Sequence, residues 1–545
     1  MNIKNLLLQG ISIGSVAVCF FGLTSCRTSD TENSNNLTEG TKAQVNINFM
    51  GTAFKDGGLD PQASLKSAGI SGNAGKEQSK SVMITPSTVM VTTLSPVKSN
   101  SSAQAGLKNT LAAVAGNPLG NGIKFRVIAY KSSGGAYQTY QDYTIGQAAP
   151  PMTLDTGVTY NIVAYSYGTT SLPTITPEET SNISNAQIAY DNNNRDLMYV
   201  KQSYTPSSTN TNLPITLMHQ LMQITTSVTT NIGDINSIAN AALTPNFSNG
   251  VFSLNTGVMS GRTTQANQNI DFSGNTFPVM ANTPVNATPV LINANTTGNG
   301  ASFSASLNIG GTNKLVNLTS GFDITPGTQN NLNVGIVKCG AWMDAAHTQW
   351  KEFMCQNLGA TSGINPFIPI AGNHGAKYQW GAQTGEIGRY VDQTTDQSNS
   401  GALLPWISYA TSVKPNGSWT GTPGGGTSNP CGNGYRVPTK VEWENVLISN
   451  TLERTGTWAN NITNYATALY IKDPISNTRT LMLPAGGYRY GTDGSLNSHG
   501  SNGFYWSSTE STGAFAYGFG FTSSTALVAD SGYRTSGLPI RCIAE

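Results

Sequence analysis

Tryptophan divides this chain in two. All eight tryptophans fall between Trp342 and Trp506, and every cysteine beyond residue 26 falls between Cys339 and Cys542. Nothing between residues 27 and 338 carries either side chain. A segment that long without an indole or a thiol must build its core from aliphatic, tyrosine and phenylalanine side chains. The segment after it has a different resource, so two different folds meet near residue 336.

The earlier part is patterned for strands. In VNINF (45–49), Val45, Ile47 and Phe49 alternate with asparagines, the period-2 rhythm of a half-buried strand. The stretches IKFRVIAY (123–130), TYNIVAYSYG (159–168), SFSASLNI (302–309) and NLNVGIV (331–337) carry the same rhythm in β-branched and aromatic residues. LPITLMHQLMQITTSV (213–228) alternates and then changes phase around His219. Short strands between Gly- and Asn-rich turns, with no long helical period, predict a mainly β protein built of sandwiches. His219 is read as a packed structural histidine rather than a metal ligand or base.

Charge narrows the function classes. Only 10 % of residues are charged and the net charge is +1. A nucleic-acid partner needs a basic face to neutralise phosphates, so none is expected. The start of the chain points to export. Residues 1–26 place Lys4 before an apolar stretch from Leu6 to Leu23 and end in Leu23-Thr24-Ser25-Cys26, the layout of a secretory signal. The ending resembles the lipobox of bacterial lipoproteins. That resemblance implies acylation of Cys26, so that the protein is anchored to a membrane rather than spanning it. Residues 27–42 are nearly devoid of apolar side chains and are expected to form a flexible tether.

Beyond the tether, the AYSY strand (164–167), the aspartate-bearing turn before DLMYV (196–200) and the apolar strand ITLMHQLMQI (215–224) occur in order. The series resembles the fimbrillin-like, type V pilin-like lipoproteins of Bacteroidota. It implies two transthyretin-like β-sandwich pilin domains, at 43–220 and 221–335.

From CGAWMDAAHTQWKEFMCQNLGA (339–360), through KYQWG (377–381), NPCGNGYRVPTKVEWENVL (429–447), LMLPAGGYR (481–489), GFYWSST (503–509) and AYGFGF (516–521), to GLPIRCI (537–543), a second series resembles the Fibrobacter succinogenes major paralogous domain. This is a relative of the formylglycine-generating-enzyme and C-type-lectin-like folds. The resemblance implies a small, irregular α+β domain over 336–545.

Most residues that could carry chemistry have a structural role. Thr439 and Glu442 have capping-box spacing, and Trp443, Val446 and Leu447 form a buried helical stripe, so the stretch most like the oxidase-type enzymes is explained by stability alone. Those enzymes depend on a close cysteine pair after a Gly-Gly stretch. Here PAGGYRYGTDG (484–494) has no cysteine, and thiolate chemistry needs one. No enzyme activity, catalytic residue or cofactor is expected. The four cysteines of an exported domain suggest two disulfides with three possible connectivities. The favoured pairing is Cys339–Cys355 with Cys431–Cys542. No metal is expected, because CxxC spacing is missing and the oxygen-rich loops 391–401 and 491–502 are explained as turn chemistry.

Trp419, in the Gly/Pro-rich loop KPNGSWTGTPGGGT (414–427), is the leading candidate for an exposed ligand-binding ring, with Trp406 and Trp380 beside it. The two resemblances imply a lipid-anchored protein of the outer membrane and cell surface. It would be a pilus tip subunit or adhesin in fimbriae, with other pilin subunits and a host-protein or glycan ligand as partners. The alternative is a glycan-binding lipoprotein for nutrient capture.

Overall fold

The computed structural model describes residues 41–55, 76–98, 113–116, 118–191, 195–408 and 413–545. The signal, Cys26 and most of the tether lie outside the described residues. The protein is mainly β, with 46 % of the described residues in strands and 4 % in helices. Among the described residues, no helix is long and apolar enough to cross a membrane.

The first sheet is built round the strand Lys42–Lys55, which runs parallel to Asn210–His219. Its alternation is realised: Ala43, Val45 and Ile47 are buried, whereas Asn46 and Asn48 face outward. A bulge between Phe49 and Gly51 resets the register. Gly51 takes a φ of 113°, open to it because it lacks a Cβ. The order continues through Met198–Tyr204, Tyr160–Ser166, Lys124–Lys131 and Tyr137–Thr144. One face of this sheet buries Val45, Val127, Ile162 and Ile215. The other, with Tyr130, Val163, Tyr165 and Tyr199, packs against a separate three-stranded sheet.

The second unit repeats that plan. Its first strand, Met222–Thr230, runs parallel to its last, Gln329–Lys338, just as Lys42–Lys55 does with Asn210–His219. In both units two short antiparallel strands cover the outer edge of the first strand. They are Met152–Asp155 and Ala113–Ala115 in one, Val290–Ile292 and Val285–Asn286 in the other. A facing sheet of Gln265–Asn269, Ile235–Phe247, Ala301–Ile309 and Thr312–Phe322 closes the core. There Phe303, Leu307 and Leu318 meet Ile224, Leu332 and Val334.

The two units exchange strands. The hairpin Gln78–Thr85 and Thr88–Pro96 lies within the stretch assigned from sequence to the first sandwich, yet it pairs along Gln329–Lys338 of the second. Conversely, Asn249–Ser253 pairs with Gln187–Asp191 and covers the first unit. Alternation fixes which face a strand buries but says nothing about which sheet receives it.

The remaining chain folds into small sheets and two short helices, α1 (Gln393–Ser398) and α2 (Lys440–Ser449). Helix α2 has the expected capping box. The Glu442 amide donates to Thr439 Oγ1 at 3.2 Å, and the Thr439 amide donates to the Glu442 carboxylate at 2.8 Å. Trp443 and Val446 are buried, with Leu447 partly buried against the same core. Arg436 grips Glu442 with two bonds of 2.8 and 2.6 Å. Cys339 is bonded to Cys355 and Cys431 to Cys542, the favoured pairing.

Candidate functional site

The expectation that Trp419 presents an exposed ring is corrected by the structure, and so is that for Trp380. They are 1 % and 0 % exposed, with ring centroids 5.6 Å apart. The Gly-rich loop that suggested exposure folds over the indole instead. Gly426, with a φ of 96°, lies so close that a Cβ there would fall 2.9 Å from the Trp419 Cα. Each indole N–H finds a carbonyl, Ser428 for Trp419 and Ser507 for Trp380, both at 3.0 Å. A buried indole needs such a partner. The Arg534 guanidinium also lies 4.5 Å from the Trp380 ring centroid. Trp443 and Trp506 are core residues as well. With few long strands, this region makes its core from rings.

Trp406 is the candidate that keeps surface. It is half-buried, with its ring over two glycines, and a Cβ on either Gly494 or Gly537 would come within 2.8 Å of it. The segment that carries it is tied on both sides. The Leu403 amide donates to the Asp493 carbonyl and the Ile407 amide to the Gly388 carbonyl, each at 2.9 Å. These bonds set Leu404 (96 % exposed), Ile387 (79 %) and Tyr490 (48 %) on three linked turns. The result is a rim of apolar side chains held in water, the kind of feature that marks interaction sites more often than an isolated exposed leucine does. Sequence reasoning missed Leu404 because LLPWI (403–407) has the composition of a core segment, and Ile387 and Tyr490 because no local period in their turns marks a face as exposed.

Charges are buried beneath this rim. The Arg489 Nε donates to Asp396 Oδ1 at 2.7 Å. Its other nitrogens donate to the carbonyls of Asp396 (2.7 Å), Asn399 (2.5 Å) and Gly494 (3.0 Å). Lys377 pairs with the second Asp396 oxygen. Burial pushes the Asp396 carboxyl upward, but Lys377 and Arg489 outweigh it and hold the group below the usual carboxylate range. The set fastens α1 to the turn 490–494, so the rim stands on a rigid base.

The histidines have structural places. His374 and His499 stack at 5.1 Å, with Tyr465 edge-on to both. Burial, then the neighbouring His499 and Lys377, hold His374 down at about 3. His219 lies flat on Phe54 at 3.8 Å, its Nδ1 2.8 Å from Asp196. Among the described residues, no group of three or more His, Cys, Asp or Glu side chains is placed to hold a metal, and the four described cysteines are all in disulfides. A cavity of about 230 Å³ opens where Thr230, Asn231 and Ile336 face Thr478 and Arg479. Small-molecule sites usually run to roughly 300–1,000 Å³.

Residues 459–543 match the model of a domain of unknown function, DUF8237. No curated protein matches the sequence. Three of the similar solved structures are from Bacteroidota. A "putative cell adhesion protein" of Bacteroides fragilis is 11 % identical, covers 54 % of this chain and 93 % of its own, and has a TM-score of 0.30. One with the same description, from Parabacteroides distasonis, is 10 % identical over 44 % and 87 %, with a TM-score of 0.30. A fimbrial assembly protein of Parabacteroides distasonis is 9 % identical over 42 % and 86 %, with a TM-score of 0.25. Likenesses of this size carry no functional argument.

Proposed function

We propose that the chain is a non-catalytic, lipid-anchored cell-surface adhesion protein that binds its ligand through the C-terminal unit, 336–545, as a pilus tip subunit or free-standing adhesin. In this reading residues 1–26 are the signal, 27–42 the tether, and 43–220 and 221–335 the pilin-like sandwiches, which lend each other strands. The observation that carries the reading is the rim of Leu404, Trp406, Ile387 and Tyr490 on three tied turns above a buried ion cluster. Clustered exposed apolar groups mark interaction sites where scattered ones do not, and a rigid base beneath them suits a surface that binds. The bonded cysteines and the lipobox-like start suit an oxidising, extracytoplasmic setting.

Two measurements test it. Screening the wild-type protein and Leu404→Asp against host-protein and glycan panels should reveal a ligand lost in the variant at unchanged melting temperature. A ligand held equally by both moves the site elsewhere. Cys26→Ser should shift the protein out of the detergent phase, and unchanged partitioning removes the lipid anchor.

A further inference from the structure

The cavity of about 230 Å³ lies where the second sandwich meets the C-terminal unit, with a wall from each. Small-molecule sites gather at such joins. The sandwich supplies the ends of Met222–Thr230 and Gln329–Lys338, which run side by side with Thr229 opposite Gly335 and Thr230 opposite Ile336. It also supplies Asn282. The C-terminal unit supplies Thr478 and Arg479, at the turn between Ala468–Lys472 and Arg479–Pro484. Asn231 fixes the corner, because its carboxamide donates to the Lys338 carbonyl at 3.1 Å and accepts from the Lys338 amide at 2.7 Å. The facing turn is held by the Asp473 amide, which donates to the Thr478 carbonyl at 2.9 Å. Both walls are therefore set by backbone bonds.

Three lining residues keep polar groups that the described residues leave uncommitted. The alternation that buries Val228 and Thr230 turns Thr229 to the other face of its strand. Gly335 opposite has no side chain to cover the Thr229 hydroxyl, and even a Cβ there would stand 3.7 Å from Oγ1. Asn282, at a φ of 64°, donates its backbone amide to the Thr230 carbonyl at 2.7 Å, and its carboxamide is free. Arg479 gives Nε and Nη2 to Glu453 and lies 3.8 Å from the Tyr470 ring centroid, which leaves Nη1. Ile336 and Val337 add an apolar patch.

The charges round the cavity cancel. Arg479 and Lys472 stand against Glu453 and Asp473. Lys472 pairs with Glu453 at 3.3 Å, and Asp473 accepts from the Ser476 hydroxyl and the Trp342 indole. An ionic ligand gains little from such a balance. Hydroxyl groups gain more, since they accept from a guanidinium or carboxamide N–H and donate to a threonine or carboxamide oxygen. The volume lies below the roughly 300–1,000 Å³ of drug-sized sites, so it suits one ring rather than a chain of them.

We propose that this cavity binds a single neutral pyranose, with its hydroxyls on Thr229, Asn282 and Arg479 and its C–H groups on Ile336 and Val337. A ring held in this way fastens the sandwich to the C-terminal unit. The site shares no residue with the rim at Leu404 and does not rest on it.

The test titrates the full-length protein with the methyl pyranosides of glucose, galactose, mannose and N-acetylglucosamine, followed by calorimetry and saturation-transfer NMR. At least one should bind. Thr229→Val and Asn282→Gly should each weaken it about fivefold, the loss of one neutral hydrogen bond, while Leu404→Asp binds as the parent does. Glycine accepts the backbone angle of Asn282, so that variant keeps the test decisive should Thr229→Val fail to fold. No binding of any of these sugars up to their solubility overturns the proposal. Binding lost in Leu404→Asp but unchanged in the other two variants places the sugar on the rim and overturns it as well. Methyl glucuronide held more tightly than methyl glucoside overturns the assignment of a neutral ligand.

Discussion

The Ser87 hydroxyl donates to the Glu352 carboxylate at 2.5 Å and accepts from the Tyr435 hydroxyl at 3.0 Å, which fixes a turn from early in the chain onto the C-terminal unit. Beside it Val89 packs into the core formed by Cys339, Phe353 and Trp443. The change of fold near residue 336 is therefore not a linker. The strand Gln329–Lys338 runs straight into Cys339, and the hairpin bridges the join.

Val89→Ala should therefore destabilise both sides of the seam together, by about 2 kcal/mol, since it leaves a cavity shared by the two. Limited proteolysis of the native protein should give no early cleavage at 336–339. A rapid cut there that leaves two stable pieces would show that the hairpin does not bind the units to one another.

The aromatic core leads to a second expectation. Thr439→Ala should lower stability by about 0.5–2 kcal/mol through loss of the helix cap. Trp419→Ala and Trp443→Ala should each cost roughly 3–5 kcal/mol, because both rings are packed and bonded to carbonyls. Equilibrium urea unfolding of the three variants separates these outcomes. A Trp419→Ala protein as stable as the parent would return that ring to the surface.

The contrast between Trp443 and Trp419 shows what could be read in advance. Trp443 sits at helical spacing from Val446 and Leu447 behind a capping box, so local sequence specifies both its element and its buried face. Trp419 lies among glycines and prolines, where no period exists, and its burial depends on Trp380, Arg534 and Ser428 arriving from elsewhere in the chain. The strand faces of 45–49 and 302–309 were likewise legible from alternation. The destination of 78–96 was not, because a period of two carries no information about the neighbouring strand. The rim at Leu404 and Ile387 was hidden for a related reason, since an apolar residue's exposure is decided by which turns are tied beneath it.

The disulfides should contribute unequally. Cys431–Cys542 closes a loop of 111 residues and Cys339–Cys355 one of 16. In the chain-entropy account their loss costs about 4–5 and about 3 kcal/mol respectively. Melting of Cys431→Ala/Cys542→Ala and Cys339→Ala/Cys355→Ala double variants should preserve that order. The reverse order would mean that the smaller loop's contacts with Ser87 and Pro86 outweigh the entropy of the larger one.

Acid should weaken the C-terminal unit through its buried imidazoles. His374 is fully enclosed and its pKa is held at about 3, chiefly by burial and then by His499 and Lys377, well below the ordinary 6.5 of an imidazole. Burial lowers His499 in the same direction. In the unfolded chain both rings take up a proton near pH 6.5, whereas the folded form resists protonation. The unfolded state thus binds more protons as the pH falls, and stability present above 6.5 is lost below it. For His374 alone the slope is about 1.4 kcal/mol per pH unit, or roughly 2 kcal/mol between pH 6.5 and 5. His374→Phe keeps a ring beside His499 and Tyr465 but cannot titrate, so its stability should fall less steeply over that interval. Urea midpoints at pH 7, 6 and 5 for the two proteins measure the difference, and parallel declines would assign the acid sensitivity to other groups.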